Sequence, residues 1–319
     1  MNKKFMTAAE AVERFIDDGD QIAIGGFTVT RNPMALIREI LRQRKKELYL
    51  VVHSQGQGME LLIGAGCVRR VELAYGGVAR FAPTGIRFRK AVKEKQIEVE
   101  DYTNLHMTLR FLAGAMSMPF VATRSGLESD IVRLSGFSKE SRGKGRVPRD
   151  KLKVIDHPLD PEQGKVVVLP PLNPDVTLIH AQAVGEDGSV RIQGLTFADV
   201  EQAKAARKVI VSCEKIVPTE EIRRDPDRNC LPHFLVDAVV HAPYGAHPTA
   251  CHMFYDYDPD HLNMFKRIAP DDDTFRQYLD EWVYPLETQQ AYLDKVGEKQ
   301  IEKIKADPDL GYAPGLDRR

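Results

Sequence analysis

Three times within the first eighty residues, a short apolar run stops at a glycine-containing turn and a helical spacing takes over. Ile22-Ala23-Ile24 meets Gly25-Gly26, Leu48–His53 meets Ser54-Gln55-Gly56-Gln57-Gly58, and Val68–Tyr75 meets Gly76-Gly77. Short apolar runs bounded by such turns read as buried strands. The helical spacings that follow, Met34–Arg42, Met59–Gly64 and Ile86–Lys95, supply the crossovers. Strands joined by crossover helices lie parallel, because only antiparallel neighbours can be joined by a hairpin. The expected fold is α/β: an open, mainly parallel sheet flanked by helices.

Local signals set the boundaries. Thr7-Ala8-Ala9-Glu10 is a capping box, in which threonine and glutamate side chains each satisfy a backbone amide of the first turn. Val12, Phe15 and Ile16 continue that helix, and Asp18-Gly19-Asp20 ends it. Pro33 opens the next helix. Thr103–Met116 and Phe197–Arg207 read as further helices, and Lys165–Leu169, Val176–Ala181, Val209–Cys213 and Val236–His241 as further strands. Residues 124–164 break the rhythm with charge, glycine, serine and proline. They are expected to form a long inserted segment, an ordered flap or a partner-facing arm, since structureless loops of that length are uncommon in compact domains. Thr274–Tyr284 and Gln290–Lys305 are amphipathic, which makes 272–319 a C-terminal helical extension on a single domain spanning 1–319.

Charge and motif content exclude several classes. The 45 lysines and arginines almost balance 46 acidic residues, unlike a chain that tracks a phosphate backbone. The four cysteines, Cys67, Cys213, Cys230 and Cys251, are scattered and form no Cys-x-x-Cys, so a reducing, cytoplasmic setting is expected. The start, Met1-Asn2-Lys3-Lys4-Phe5-Met6-Thr7, has no apolar run of signal-peptide length, and no segment is apolar enough to span a membrane. There is no P-loop and no Gly-x-Gly-x-x-Gly after a strand. His241, His247, Cys251 and His252 lie close in sequence, but Pro243, Pro248 and the Tyr244-Gly245 turn interrupt any helix that would gather them, so no metal is expected. No permanently bound cofactor is expected either.

The chemistry concentrates in Asp18–Pro33. Two glycines directly after a buried strand let backbone amides approach a ligand closely and stabilise an oxyanion. An Asp-Gly opener, three apolar residues, Gly25-Gly26-Phe27 and a proline six residues after the phenylalanine resemble the first signature of family I coenzyme A transferases. One position departs: the signature carries glycine two residues before the proline, and this chain has Arg31. An arginine there is familiar from the α chains of glutaconate CoA-transferase. The segments 176–192, 220–226, 236–248, 255–258 and 281–283 are similar to the same chains, so the resemblance runs nearly end to end.

That resemblance implies covalent catalysis. An enzyme glutamate attacks the acyl-CoA, forms a mixed anhydride and then a glutamyl-CoA thioester, and passes CoA to an acceptor carboxylate. The glutamate belongs to a Ser-Glu-Asn-Gly motif, which is absent here; Gly126-Leu127-Glu128-Ser129 and Ser212-Cys213-Glu214-Lys215 do not fit it. The chain is thereby implied to be the α half, with a β-type partner carrying the nucleophile and an acyl-CoA thioester as substrate. Gly25, Gly26, Phe27 and Thr28 would line the oxyanion side, and Arg31 would grip the distal carboxylate of a dicarboxylate such as glutaconate. Ser54, Gln55, Gly76 and Gly77 would complete the pocket, being at strand ends where α/β sheets bind ligands. The basic face of Arg87, Arg89, Lys90, Lys93 and Lys95 is a solvated surface or a contact for CoA phosphates. Two other outcomes stay open: a related acyl-CoA hydrolase or decarboxylase assembly, and a non-catalytic small-ligand sensor.

Overall fold

A computed structural model describes residues 3–318; Met1 and Asn2, from the N-terminal stretch read above, and Arg319 lie outside the described residues. Helix α1 (Ala8–Phe15) opens on the capping box, with Thr7 Oγ1 accepting from the Glu10 amide and the Glu10 carboxylate accepting from the Thr7 amide. Then β1 (Gln21–Ile24), α2 (Met34–Arg42), β2 (Leu48–Gln55), α3 (Gln57–Gly64), β3 (Val68–Gly76), α4 (Ile86–Lys93), β4 (Glu98–Asp101) and α5 (Asn104–Ala115) alternate. The middle of the chain holds β5 (Val121–Thr123), α6 (Asp130–Arg133), β6 (Lys153–Asp156) and β7 (Lys165–Leu169). After them come β8 (Val176–Gly185), β9 (Val190–Arg191), α7 (Asp199–Ala205), β10 (Lys208–Val217), α8 (Thr219–Arg224) and β11 (Ala238–His241). The chain ends in α9 (Pro259–Ile268), α10 (Asp272–Trp282), α11 (Gln289–Val296) and α12 (Glu298–Ile304).

The main sheet runs β11-β10-β8-β1-β2-β3-β4, every neighbour parallel, with β9 folded back antiparallel on β8. The chain first builds outward from β1 through β2 and β3 to β4, then returns to the other side of β1 for β8, β10 and β11. Strand order therefore reverses between β1 and β8, and a crevice opens at the carboxyl ends of strands where it does so. The turn after β1 sits at that point.

Alternation along the strands fills a core on each face. Ile22 and Ile24 pack with Leu36, Ile37, Phe265 and Phe275 on one side, while Ala23 packs with Val51, Phe111 and Leu169 on the other. Each such fully buried leucine, isoleucine or phenylalanine contributes about 1.5–3 kcal/mol.

Several boundaries differ from the sequence reading. β2 continues through Ser54 and Gln55 because Gln55 still pairs with Gly76. Helix α1 stops at Phe15, and Gly19, at φ +85°, serves the turn into β1 instead of the helix cap. The last predicted helix is broken in two at Gly297, whose φ is +88°. Strand β4 escapes a pattern search because it reads Glu-Val-Glu-Asp; its buried Glu100 is held by Arg142 and the amide of Gly136. Residues 124–164 fold back on the edge of the sheet. β6 joins β5 and β7 in a small antiparallel sheet, Phe137 and Val147 are buried, and Ser141 donates to Glu98 at 2.7 Å. No helix among the described residues is long and apolar enough to cross a membrane.

Candidate active site

The sheet order brings the ends of β1, β2 and β3 side by side, and with them most of the predicted site residues. Gly25 donates to Leu178 O at 2.8 Å, and a Cβ there would stand 2.8 Å from Ile179 Cγ2, so a side chain is excluded. Gly26 has φ +80°. The tip is closed by two bonds of 2.8 Å between Phe27 and Thr30, one from each amide. Thr28, at φ +47°, donates to Ser54 O at 3.2 Å, which ties the tip to β2. Gln55 donates to Gly25 O at 2.8 Å and receives the amide of Gly77 on its own carbonyl at 3.0 Å. Gly56 lies so close beneath the turn that a Cβ would be 2.3 Å from Thr28 O. Gly76 accepts the Gly85 amide at 3.0 Å at the entry to α4.

Two expectations are corrected by this geometry. The amides of Gly25, Gly26, Phe27 and Thr28 are all spent on protein acceptors, since they close and anchor the turn; they are not free oxyanion donors. From Gly25 to Arg31, only the Val29 amide has no partner among the described residues. Arg31 is likewise not a free guanidinium. It is 1% exposed, its Nη1 meets Asp199 Oδ2 at 2.6 Å, and its Nη2 donates to Leu195 O at 2.6 Å. The same Asp199 takes the Gly26 amide on Oδ1 at 2.7 Å. One fully buried carboxylate thus clamps both ends of the turn.

Sequence reasoning missed Asp199, which lies 168 positions from Arg31 in a segment with no signature of its own. It also missed Asn104. That residue is exposed at the start of α5, and its Oδ1 accepts from Ser54 Oγ at 2.9 Å, which leaves Nδ2 without a partner among the described residues. Phe27 stacks on Phe197 with ring centroids 4.6 Å apart and leans on His53 at 5.8 Å. Burial pushes the His53 pKa down, against the pull of the Asp199 carboxylate, and its buried Nδ1 has no partner among the described residues. The amide group of Gln57 is buried, and both its polar atoms are unpaired among the described residues. A polar glycine-rich turn was the available signal for Gln57; its burial was not legible.

A family profile described as coenzyme A transferase matches residues 5–242. The chain belongs to the coenzyme A transferase family. It is 39% identical to the A-type subunit of glutaconate CoA-transferase from Acidaminococcus fermentans, over 97% of both chains. It is 32% identical to the A-type subunit of 3-oxoadipate CoA-transferase from Pseudomonas knackmussii, over 92% of this chain and 99% of that one. The crystal structure of glutaconate coenzyme A-transferase from A. fermentans superposes with a TM-score of 0.95 over 99% of each chain.

The two glutamates whose strings come nearest to the nucleophile motif sit in different environments. Glu214 on β10 is buried and accepts from the Tyr255 hydroxyl at 2.5 Å and the Tyr244 amide at 2.7 Å, with His180 Nε2 at 2.6 Å. It is sealed from substrate. Glu128 is exposed at φ +62° in the inserted segment. The histidine-rich stretch does not assemble as a set either. His247 binds Tyr292 and Asp258, while Cys251 lies instead beside His180 and Glu214, whose donor atoms are committed to the bonds just described. On α4, Arg87 and Lys90 both reach Asp272 of α10 at 2.7 Å, so the basic face braces a helix pair and offers CoA less charge than its sequence suggests.

Proposed function

We propose that this chain is the α half of a two-chain CoA-transferase that moves CoA between an acyl-CoA and a carboxylic acid, glutaconate or a similar dicarboxylate being the acid favoured. A β-type partner supplies the nucleophilic glutamate. Its carboxylate oxygen attacks the thioester carbonyl, the C–S bond breaks, and CoA leaves as thiolate, which leaves a mixed anhydride between the acyl group and the glutamate. The thiolate then attacks the glutamyl carbonyl, releasing the first acid and leaving a glutamyl-CoA thioester. The acceptor carboxylate repeats the sequence in reverse, and the glutamate is regenerated. Each carbonyl attack builds an oxyanion, whose stabilisation is this chain's part.

The observation that carries the reading is the turn at the strand-order reversal, rigidly clamped by Asp199 with the Val29 amide left over. Beside it stands Asn104, whose Oδ1 is already occupied by Ser54. An amide so oriented presents Nδ2 as a fixed donor. Support for a dicarboxylate rests on the likeness to the glutaconate CoA-transferase of A. fermentans, because Arg31 is neutralised by Asp199. Four unpaired cysteines are consistent with work in the cytoplasm.

The experiment is co-purification with the product of the neighbouring gene, followed by exchange of CoA between acetyl-CoA and glutaconate. Borohydride added with acyl-CoA should reduce a glutamate of the partner. Labelling of this chain instead, or a lone chain that binds a sugar phosphate and exchanges no CoA, overturns the proposal.

A further inference from the structure

Helix α5 has an unusual outward face. From Asn104 to Thr123 the only charged residue is Arg110, and Arg110 is buried against Glu72. Met107, Arg110 and Phe111 turn inward, the two apolar ones packing into the core. Leu105, Leu112 and Met116 point outward and are 50%, 37% and 64% exposed, with Phe120 just beyond the helix at 52%. Their spacing places Leu105, Leu112 and the helix-capping Met116 on one stripe. A solvated helix face normally carries charge, and the largest apolar patch of a monomer, typically about 300–600 Å², is often a functional surface.

We propose that this stripe is the docking surface for the β-type partner. The inference rests on the two-chain reading above, and three features select that occupant. First, the stripe begins at the half-site: Leu105 follows Asn104, which is bonded to Ser54 at the end of β2. A partner that brings a glutamate to that rim has to cover what borders it. Second, a further apolar side chain is exposed beside the clamped turn. Helix α7 packs against α5, and Leu195 just ahead of α7 is 74% exposed while its carbonyl is held by Arg31. Third, the stripe sets four exposed apolar side chains towards the ~800 Å² that each partner contributes to a standard interface. It forms the apolar centre of a contact that the polar rim of the site extends. A second copy of this chain would cover the stripe without completing the site, since Glu214 is sealed.

The test uses the full chain, the β-type chain from the neighbouring gene, and the single variants Leu112→Glu and Met116→Glu. Both positions are exposed, so the isolated variants should melt within about 2 °C of the parent. Their Kd for the β chain should rise at least tenfold. Phe234→Glu, at a position 73% exposed ahead of β11 on the opposite edge of the sheet, should leave Kd unchanged. Unchanged binding by the α5 variants overturns the proposal. So does loss of a dimer of this chain with β binding intact, which would assign the stripe to a second copy. The readout is binding, so a complex that assembles normally but exchanges no CoA counts against the transferase reading and leaves the docking surface standing.

Discussion

Asp199→Asn is the substitution that most directly probes the clamp. It keeps the shape of the side chain, and Oδ1 can still accept the Gly26 amide. The other atom becomes an NH2 group facing the Arg31 guanidinium, which was 2.6 Å from an oxygen, with both partners 1% exposed or less. Removing one member of a buried ion pair costs about 3–5 kcal/mol, because the remaining charge stays buried without compensation. Unfolding entropy of about 2.1 cal/mol/K per residue makes that a fall in Tm of about 4–7 °C for a chain of 319 residues. The turn should also shift, and a displacement near 1 Å at a catalytic wall costs about 100-fold in turnover. Calorimetry on the isolated chain and kinetics on the complex measure the two effects. Arg31→Met should be similarly destabilising, and the double variant should recover part of the loss. If instead Asp199→Asn melts like the parent, and Arg31→Met only raises KM for dicarboxylates, then Arg31 reads substrate and the clamp is refuted.

Three further outcomes follow from the same geometry. Asn104→Ala should lower kcat by about 100- to 1000-fold with little change in KM or Tm, as for loss of an oxyanion donor; a KM effect alone would exclude that role. Gly26→Ala places a Cβ 2.5 Å from Thr30 O at φ +80°, and should cost at least about 2 kcal/mol in urea unfolding. Gly19→Ala, at φ +85° with open space around it, should cost about 1 kcal/mol, so equal losses would refute the steric account. Burial holds the His261 pKa at about 3, against the ordinary 6.5, and His247 shifts down for the same reason. The unfolded chain takes up these protons first, so stability is whole above pH 6.5; the His261 contribution declines as pH falls towards 3, by up to about 1.4 kcal/mol per unit, and His247 adds to the decline in the same direction. His261→Phe should flatten the dependence between pH 6 and 4 by about one proton, and an unchanged slope would show that His261 does not contribute to it.

The alternation of apolar runs, glycine turns and helical spacing was enough to specify a parallel sheet, and the Gly25-Gly26-Phe27 spacing was enough to put the candidate site at the end of β1. Both follow from local rules: strand length, helical period, and the conformations open only to glycine. The missing Ser-Glu-Asn-Gly was legible for the same reason. What an arginine, an amide or a glutamate is free to do was not legible, because that depends on partners distant in sequence. Arg31 looked like a substrate ligand until Asp199 was found against it from 168 positions away. The turn amides looked like oxyanion donors until Leu178, Ser54 and Asp199 were found to accept them. Sequence alone determined the class of protein and the rim proposed for the chemistry. Tertiary structure alone decided which donors at that rim remain unspent, since a buried hydrogen bond or ion pair is made between strands that only the folded sheet brings together.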